Sequence, residues 1–471
     1  MPPKPERTRQ APTLAGALVL AMVLALADPT AAAQQREPTP LPSRPVTRGV
    51  AGSGAPAAPP TNGPAPATGT APASGLAFSS EDGQYQVRAN FWMQALGRFA
   101  LGDESAALSD TFSLRRVRPR IEGTLFGRVD FLFMLEAGGE GRIALFDAFA
   151  DIRIVPELRI RFGRQKVPFS LDRLQGFPVL PMVERTFSAM VGPNRDLGID
   201  VWGEVLGGAL VYHVGLFNGV ADGQNGAEDL EDSKDVIGRL FLRPFHTNVD
   251  SPLRRLGVGG AASYGRTGGI DGDAGSAGLE VPTYTTPGRA RMFAYRGPSS
   301  SDGVRTSAVF ASGERQRLEL DGYWYWDRFS VFAELIQTRN AYRAPGGRDT
   351  LASTVTAWNV MLAVVLTDDT SSYERGVEPH APLDPSRGHW GALELVARVQ
   401  RFHVDDAAFP RLASRDSNVS DALNLGFCVN WAWNQHLRLQ LDFERTMFRD
   451  GAINGDRETE NLALLQLTLR T

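Results

Sequence analysis

The feature that most constrains this chain is a two-residue alternation of apolar and polar side chains that returns in segment after segment. Across residues 85–99 one parity reads Tyr85, Val87, Ala89, Phe91, Met93 and Ala95, and the other Gln86, Arg88, Asn90, Trp92, Gln94, Leu96 and Arg98. Successive side chains of a strand point to opposite faces, so this period dictates a strand with one apolar and one mostly polar face. The run exceeds the roughly 5–6 residues of ordinary soluble strands and covers the ~9–11 needed to cross a bilayer at a tilt. The texture recurs at Val129, Phe131, Phe133 and Leu135 and at Leu393, Leu395, Ala397 and Val399. It appears again at Leu437, Leu439, Leu441 and Phe443, and at Leu465, Leu467 and Leu469.

A soluble β-sandwich alternates as well, but its strands are shorter and its apolar face meets a second sheet. Here the opposite face carries charge in strand after strand, as in Arg438, Gln440, Asp442 and Glu444. That favours an all-β fold, a transmembrane antiparallel β-barrel with apolar residues toward lipid and a polar lumen. Only closure satisfies the edge hydrogen bonds in hydrocarbon. Hydrophobic residues at 42 % and charged residues at 22 % are too polar for a helical membrane bundle and ordinary for such a barrel.

The expected domains are a signal peptide over 1–33, a disordered Pro/Ala/Gly-rich linker over 34–75, and the barrel over 76–471. Lys4, Arg7 and Arg9 precede the apolar run Leu14–Ala27, and Ala31-Ala32-Ala33 supplies a small-residue cleavage motif. The linker has no apolar periodicity and cannot bury a core. Within the barrel, Gly265–Gly278, Glu228–Asp235 and Arg343–Asp349 read as loops.

Several segments resemble the phosphate-selective porin O/P family. They are Phe112-Ser113-Leu114-Arg115-Arg116-Val117-Arg118-Pro119-Arg120 and Arg161-Phe162-Gly163-Arg164-Gln165-Lys166-Val167-Pro168-Phe169-Ser170-Leu171, the second similar to the family's G-x-x-K-x-P-F-x-L. Val183-Glu184-Arg185, Asn194-Arg195-Asp196-Leu197-Gly198 and Val214-Gly215-Leu216-Phe217-Asn218-Gly219 follow. Trp390-Gly391-Ala392-Leu393-Glu394-Leu395-Val396-Ala397-Arg398 and Gly426-Phe427-Cys428-Val429-Asn430-Trp431 complete the series in family order. The motif residues are thus Gly163, Lys166, Pro168, Phe169, Asn218, Gly219, Trp390 and Glu394. The resemblance implies 16 strands, a homotrimer, a place in the bacterial outer membrane, and passive diffusion of small solutes with preference for anions such as phosphate. Two departures stand out: the chain ends Leu469-Arg470-Thr471 without an aromatic residue, and only Lys166 and Lys234 fall in the barrel region.

A pore selects by the sign and spacing of the charges that line it. Arg116, Arg118, Arg120, Arg153, Arg159, Arg161, Arg239, Arg243, Arg398 and Arg438 fall on the lumen parity, and guanidinium holds phosphate or carboxylate bidentately. Asp130, Glu136, Asp147, Asp151, Glu319, Asp321, Glu394 and Asp442 share that lumen and offer the opposite outcome, neutralisation. The clusters Tyr323-Trp324-Tyr325-Trp326 and Trp431-Ala432-Trp433 suit an interfacial girdle, with a sugar-stacking platform as the alternative.

No nucleophile elbow, zinc-protease motif or phosphate-cradling glycine loop is present, so no catalytic residue, metal or cofactor is expected. The net charge of −4 gives no footprint for nucleic acid, and lone Cys428 excludes an internal disulfide. The expected partners are outer-membrane lipid and anionic or neutral solutes. A channel specific for an oligosaccharide or organic acid, and a structural barrel tethered to the cell wall, are the alternative readings.

Overall fold

The computed structural model describes residues 76–102, 109–139, 143–226, 233–267, 281–297, 308–347 and 349–471. The signal-peptide and linker expectations, and most of the segments 228–235 and 265–278, lie outside those residues. Of the last two, Asp235 already belongs to β9 and residues 265–267 to β10, which runs to Thr267.

The chain runs through β1 (Leu76–Ser79), β2 (Gln86–Ala100), β3 (Thr111–Leu125), β4 (Val129–Glu136), β5 (Ala144–Val155) and β6 (Leu158–Lys166). Two short helices follow, α1 (Leu171–Leu174) and α2 (Phe187–Val191), then β7 (Arg195–Val205), β8 (Leu210–Phe217), β9 (Asp235–Leu242) and β10 (Leu256–Thr267). A small hairpin, β11 (Thr283–Thr285) and β12 (Arg291–Ala294), precedes β13 (Phe310–Trp326), β14 (Phe329–Arg343) and β15 (Thr350–Val365). A second small hairpin, β16 (Thr370–Ser372) and β17 (Gly376–Glu378), leads to β18 (Ala392–Val404), β19 (Val419–Ala432), β20 (Leu437–Ala452), β21 (Gly455–Asp456) and β22 (Glu460–Arg470).

Each long strand pairs antiparallel with its neighbour, and β22 pairs back onto β2 through Trp92↔Arg470 to Ala100↔Leu462. Of the 18 strands in the main sheet, β1 and β21 are short additions, and the other sixteen form a closed barrel. β1 extends the line of β22 along β2: Thr471 donates its N–H to Phe91 O, and Leu76 sits opposite Ala89.

The alternation sets the two faces. Leu441, Phe443, Leu425, Phe427, Leu318 and Leu320 are exposed on the outer wall, while Gln440, Asp442, Glu444, Gln400 and Asn424 point inward and are buried. Short turns such as 327–328 and 433–436 close one end. Longer connections such as 167–194 and 405–418 lie at the other, which marks that end as extracellular. Among the described residues no helix is long and apolar enough to cross a membrane, so any crossing is by strands.

Candidate functional site

The lumen is the site, and its chief occupant is the 167–194 segment between β6 and β7. Wall residues capture the segment's backbone. Glu319 accepts from the Ser170 and Leu171 amides at 2.8 and 2.9 Å, and Glu334 accepts from Asp172 N at 3.3 Å. Gln400 accepts from Phe187 N and Asp442 from Val183 N, while Asn430 Nδ2 donates to Pro181 O. These amides and carbonyls would otherwise be orphaned inside the barrel. Inward residues on β13, β14, β18, β19 and β20 therefore serve as hydrogen-bond partners for the inserted chain.

Segments from both ends meet this insert. From the short-turn end, Tyr373 donates its hydroxyl to Leu171 O at 2.6 Å and stacks on Tyr323 at 5.0 Å between centroids. From the long-loop end, the β11–β12 hairpin brings Tyr284 to 4.9 Å from Phe402, an inward residue of β18. An apolar cluster including Phe169, Phe187, Phe293 and Tyr342 fills that region. The passage therefore threads past inserted chain from both ends.

All ten arginines expected in the lumen sit on barrel strands or, for Arg243, one residue past β9. Nine of them meet carboxylates. Arg116 pairs with Glu184 at 2.9 Å and Arg118 with Glu136 at 2.6 Å. Arg120 pairs with Glu122, and Arg398 with Glu444. Arg153 and Arg159 share Asp130, and Arg159 and Arg161 share Asp151. Arg239 bridges Glu319 and Asp321, and Arg243 reaches Glu204 at 3.5 Å. Among the carboxylates named from sequence, Asp147 takes Arg195. Glu394 bonds Asn430, and Asp442 serves the inserted backbone.

Arg438 differs. Its side chain is buried, and among the described residues its guanidinium has no ion-pair or hydrogen-bond partner; Nε and Nη2 are enclosed and unsatisfied. It lines a cavity at the short-turn end together with Arg375, His436, Thr468 and Arg470. Arg375 and Arg470 share one carboxylate, Glu378. The cavity walls thus carry more guanidinium than carboxylate.

Parity missed one cation. The β2–β3 register shifts between Gln94 and Ala95, which pair with Arg116 and Leu114, so Arg115 is the extra residue of a β-bulge. Its Nε reaches Glu184 at 2.6 Å, giving that acid two guanidinium partners. Arg195 and Arg317 were also missed; Arg317 binds Asp222 and Asp235 at 2.7 and 2.9 Å. The aromatic run needs correction too. Trp326 is exposed and stacks on Trp324, as a girdle requires, but Tyr323 and Tyr325 are buried on the lumen side, because the strand alternates through them.

A family model described as Phosphate-selective porin O and P matches residues 86–468, from the first residue of β2 into β22. The chain belongs to this family. Its barrel is that of an outer-membrane channel, and its place is the bacterial outer membrane. Curated protein sequences include no match. Among solved structures, the outer membrane channel DcaP of Acinetobacter baumannii is similar at a TM-score of 0.52 and 11 % identity, over 84 % of this chain and 99 % of that one. Outer-membrane expressed OmpT of Vibrio cholerae is similar at a TM-score of 0.54 and 9 % identity, over 84 % and 100 %. At these identities the likeness is one of fold.

In this porin the motif residues around β6 lie at the root of the insert. Gly163 has φ 128°, and a Cβ there would lie 2.3 Å from Ala148 O, which side chains do not tolerate. Lys166, last in β6, donates to Leu174 O and Gln175 O at 3.0 Å and so holds the end of α1. Pro168 lies in the same bend, and Phe169 is fully buried. Gly219, following Asn218, donates its N–H to Asp196 at 2.7 Å. Trp390 is exposed and accepts from Trp431 Nε1 through its carbonyl, while Glu394 points inward.

Proposed function

We propose that this porin passes small hydrophilic solutes by passive diffusion with a preference for anions such as phosphate, without catalysing a reaction, and that it works as a homotrimer. The observation that carries the anion preference is Arg438, a lumen guanidinium with no ion pair among the described residues, Glu394 acting on it only from beyond bonding distance, beside Arg375, His436 and Arg470. The paired arginines contribute little net field, because each guanidinium faces a carboxylate within bonding distance. A free guanidinium in a low-dielectric channel raises the local anion concentration far more than a neutralised one. The lumen aromatics Tyr323 and Tyr373 already stack on each other, which weighs against an open sugar platform. The trimer is supported by the family and by the apolar outer faces of β2–β4, where Phe112 and Leu114 stay exposed.

Reversal potentials across planar bilayers in asymmetric KCl test this reading. The sign of anion preference is expected for the native chain, with Arg438→Gln moving the chloride-to-potassium permeability ratio toward unity. Cation preference in the native chain would overturn it.

A further inference from the structure

We propose that the outer wall at the extracellular ends of β14–β20 is a binding surface for the phosphorylated headgroups of outer-leaflet glycolipid. Alternation places Arg339 on β14, Arg401 and His403 on β18, and Arg445 and Arg449 on β20 toward the outside, where all five are exposed. Along β20 the outward series runs Leu437, Leu439, Leu441, Phe443, then Arg445 and, beyond Met447, Arg449. Arg445 follows Phe443 by two positions, about 7 Å of strand. The other strands change in the same way, from Val399 to Arg401 on β18 and from Leu335 past Gln337 to Arg339 on β14. The cations therefore sit at the upper edge of the lipid-facing band, the depth of headgroup phosphates.

Register gathers them. Thr356 of β15 lies opposite His403, His403 opposite Asp421, and Asp421 opposite Arg449; Leu425 lies opposite Arg445. With neighbouring strands ~4.8 Å apart, His403 and Arg449 are two strand spacings from one another, and Arg401 lies two residues below His403 on β18. The outward acid on these five strands is Asp421, engaged by Arg401 at 2.8 Å and His403 at 3.2 Å. Arg339, Arg445 and Arg449 have no ion pair among the described residues. Three unmatched guanidinium groups on a rigid sheet next to hydrocarbon call for an anion that is itself held at the membrane surface. Phosphate on a lipid headgroup fits the guanidinium fork bidentately.

Arg266 of β10 also points outward at this level, but Glu314 of β13 pairs with it at 3.8 Å. No charged side chain points outward from β2, β3 or β4, and their upper ends present Phe99, Phe112, Leu114 and Leu135. An arginine rim for solubility would follow the whole circumference. This arc runs from β14 to β20 and ends one strand, β22, short of the apolar wall that begins at β2.

The test uses the full chain purified in detergent and titrated with diphosphorylated lipid A or with the same lipid after phosphate removal, bound lipid being read by native mass spectrometry. The native protein is expected to retain the phosphorylated lipid at least tenfold better than the phosphate-free form. The triple variant Arg401→Gln, Arg445→Gln, Arg449→Gln is expected to lose that difference, with single-channel conductance unchanged. Arg449→Gln alone is expected to lose part of it, and Arg438→Gln, in the lumen, none. Equal retention of both lipids by the native protein, or undiminished retention by the triple variant, would overturn the proposal.

Discussion

Glu184 lies on the inserted segment and receives two guanidinium groups, one of them delivered by the bulge at Arg115. Burial alone would push its carboxyl up, but Arg115 and Arg116 outweigh burial and hold it at about 2. A carboxyl with a folded value below its unfolded value stabilises the fold above the unfolded value, near ~4.3. That contribution is lost as pH falls toward the folded one. Urea unfolding of the native porin should therefore weaken between about pH 4.5 and pH 2, and Glu184→Gln should flatten that slope. At pH 7 the same substitution leaves Arg116 buried without its partner and should cost about 3–5 kcal/mol. An unchanged urea midpoint would contradict the pairing. Gly163→Ala should cost at least ~1–3 kcal/mol in the same assay, because φ 128° and the Ala148 carbonyl both oppose a Cβ.

At the scale of elements, the decisive relationship is between the wall and the inserted segment. Glu319 binds the first amides of α1 and also Arg239, so one wall carboxylate couples the insert to the lumen charge. Glu319→Gln replaces an acceptor oxygen with a donor facing a backbone N–H and should weaken docking by about 1–3 kcal/mol. Single-channel records should then show more frequent current fluctuations than those of the native porin. Quiet, native-like records would contradict the anchoring role. The strands themselves were legible in the sequence because alternation is a local property: Arg438, Gln440, Asp442 and Glu444 face inward as their parity requires. Arg115 was not, because a bulge breaks parity and depends on the register against β2. The ion pairs were not legible either. Arg239 with Glu319 and Arg398 with Glu444 join residues far apart in the chain, brought together by the register of alternate strands across an intervening glycine or alanine. The insert was visible only as motifs, since short helices held by wall hydrogen bonds leave no periodicity.

At the scale of the whole molecule, closure depends on β22 meeting β2, and Thr471 completes the seam at Phe91. Removing residues 469–471 should lower the temperature at which the folded barrel converts to the unfolded form on gels, and an unchanged temperature would show that the seam closes without them. A sealed wall, a lumen crowded with paired charge and the enclosed guanidinium of Arg438, which has no ion pair among the described residues, lead to the proposal that current flows inside the barrel past Arg438. Arg438→Cys in a Cys428→Ser background puts the only thiol at that point. In planar bilayers, a negatively charged thiosulfonate reagent should step the conductance down and abolish anion preference. Complete labelling with conductance and reversal potential unchanged would contradict a path through the lumen at Arg438.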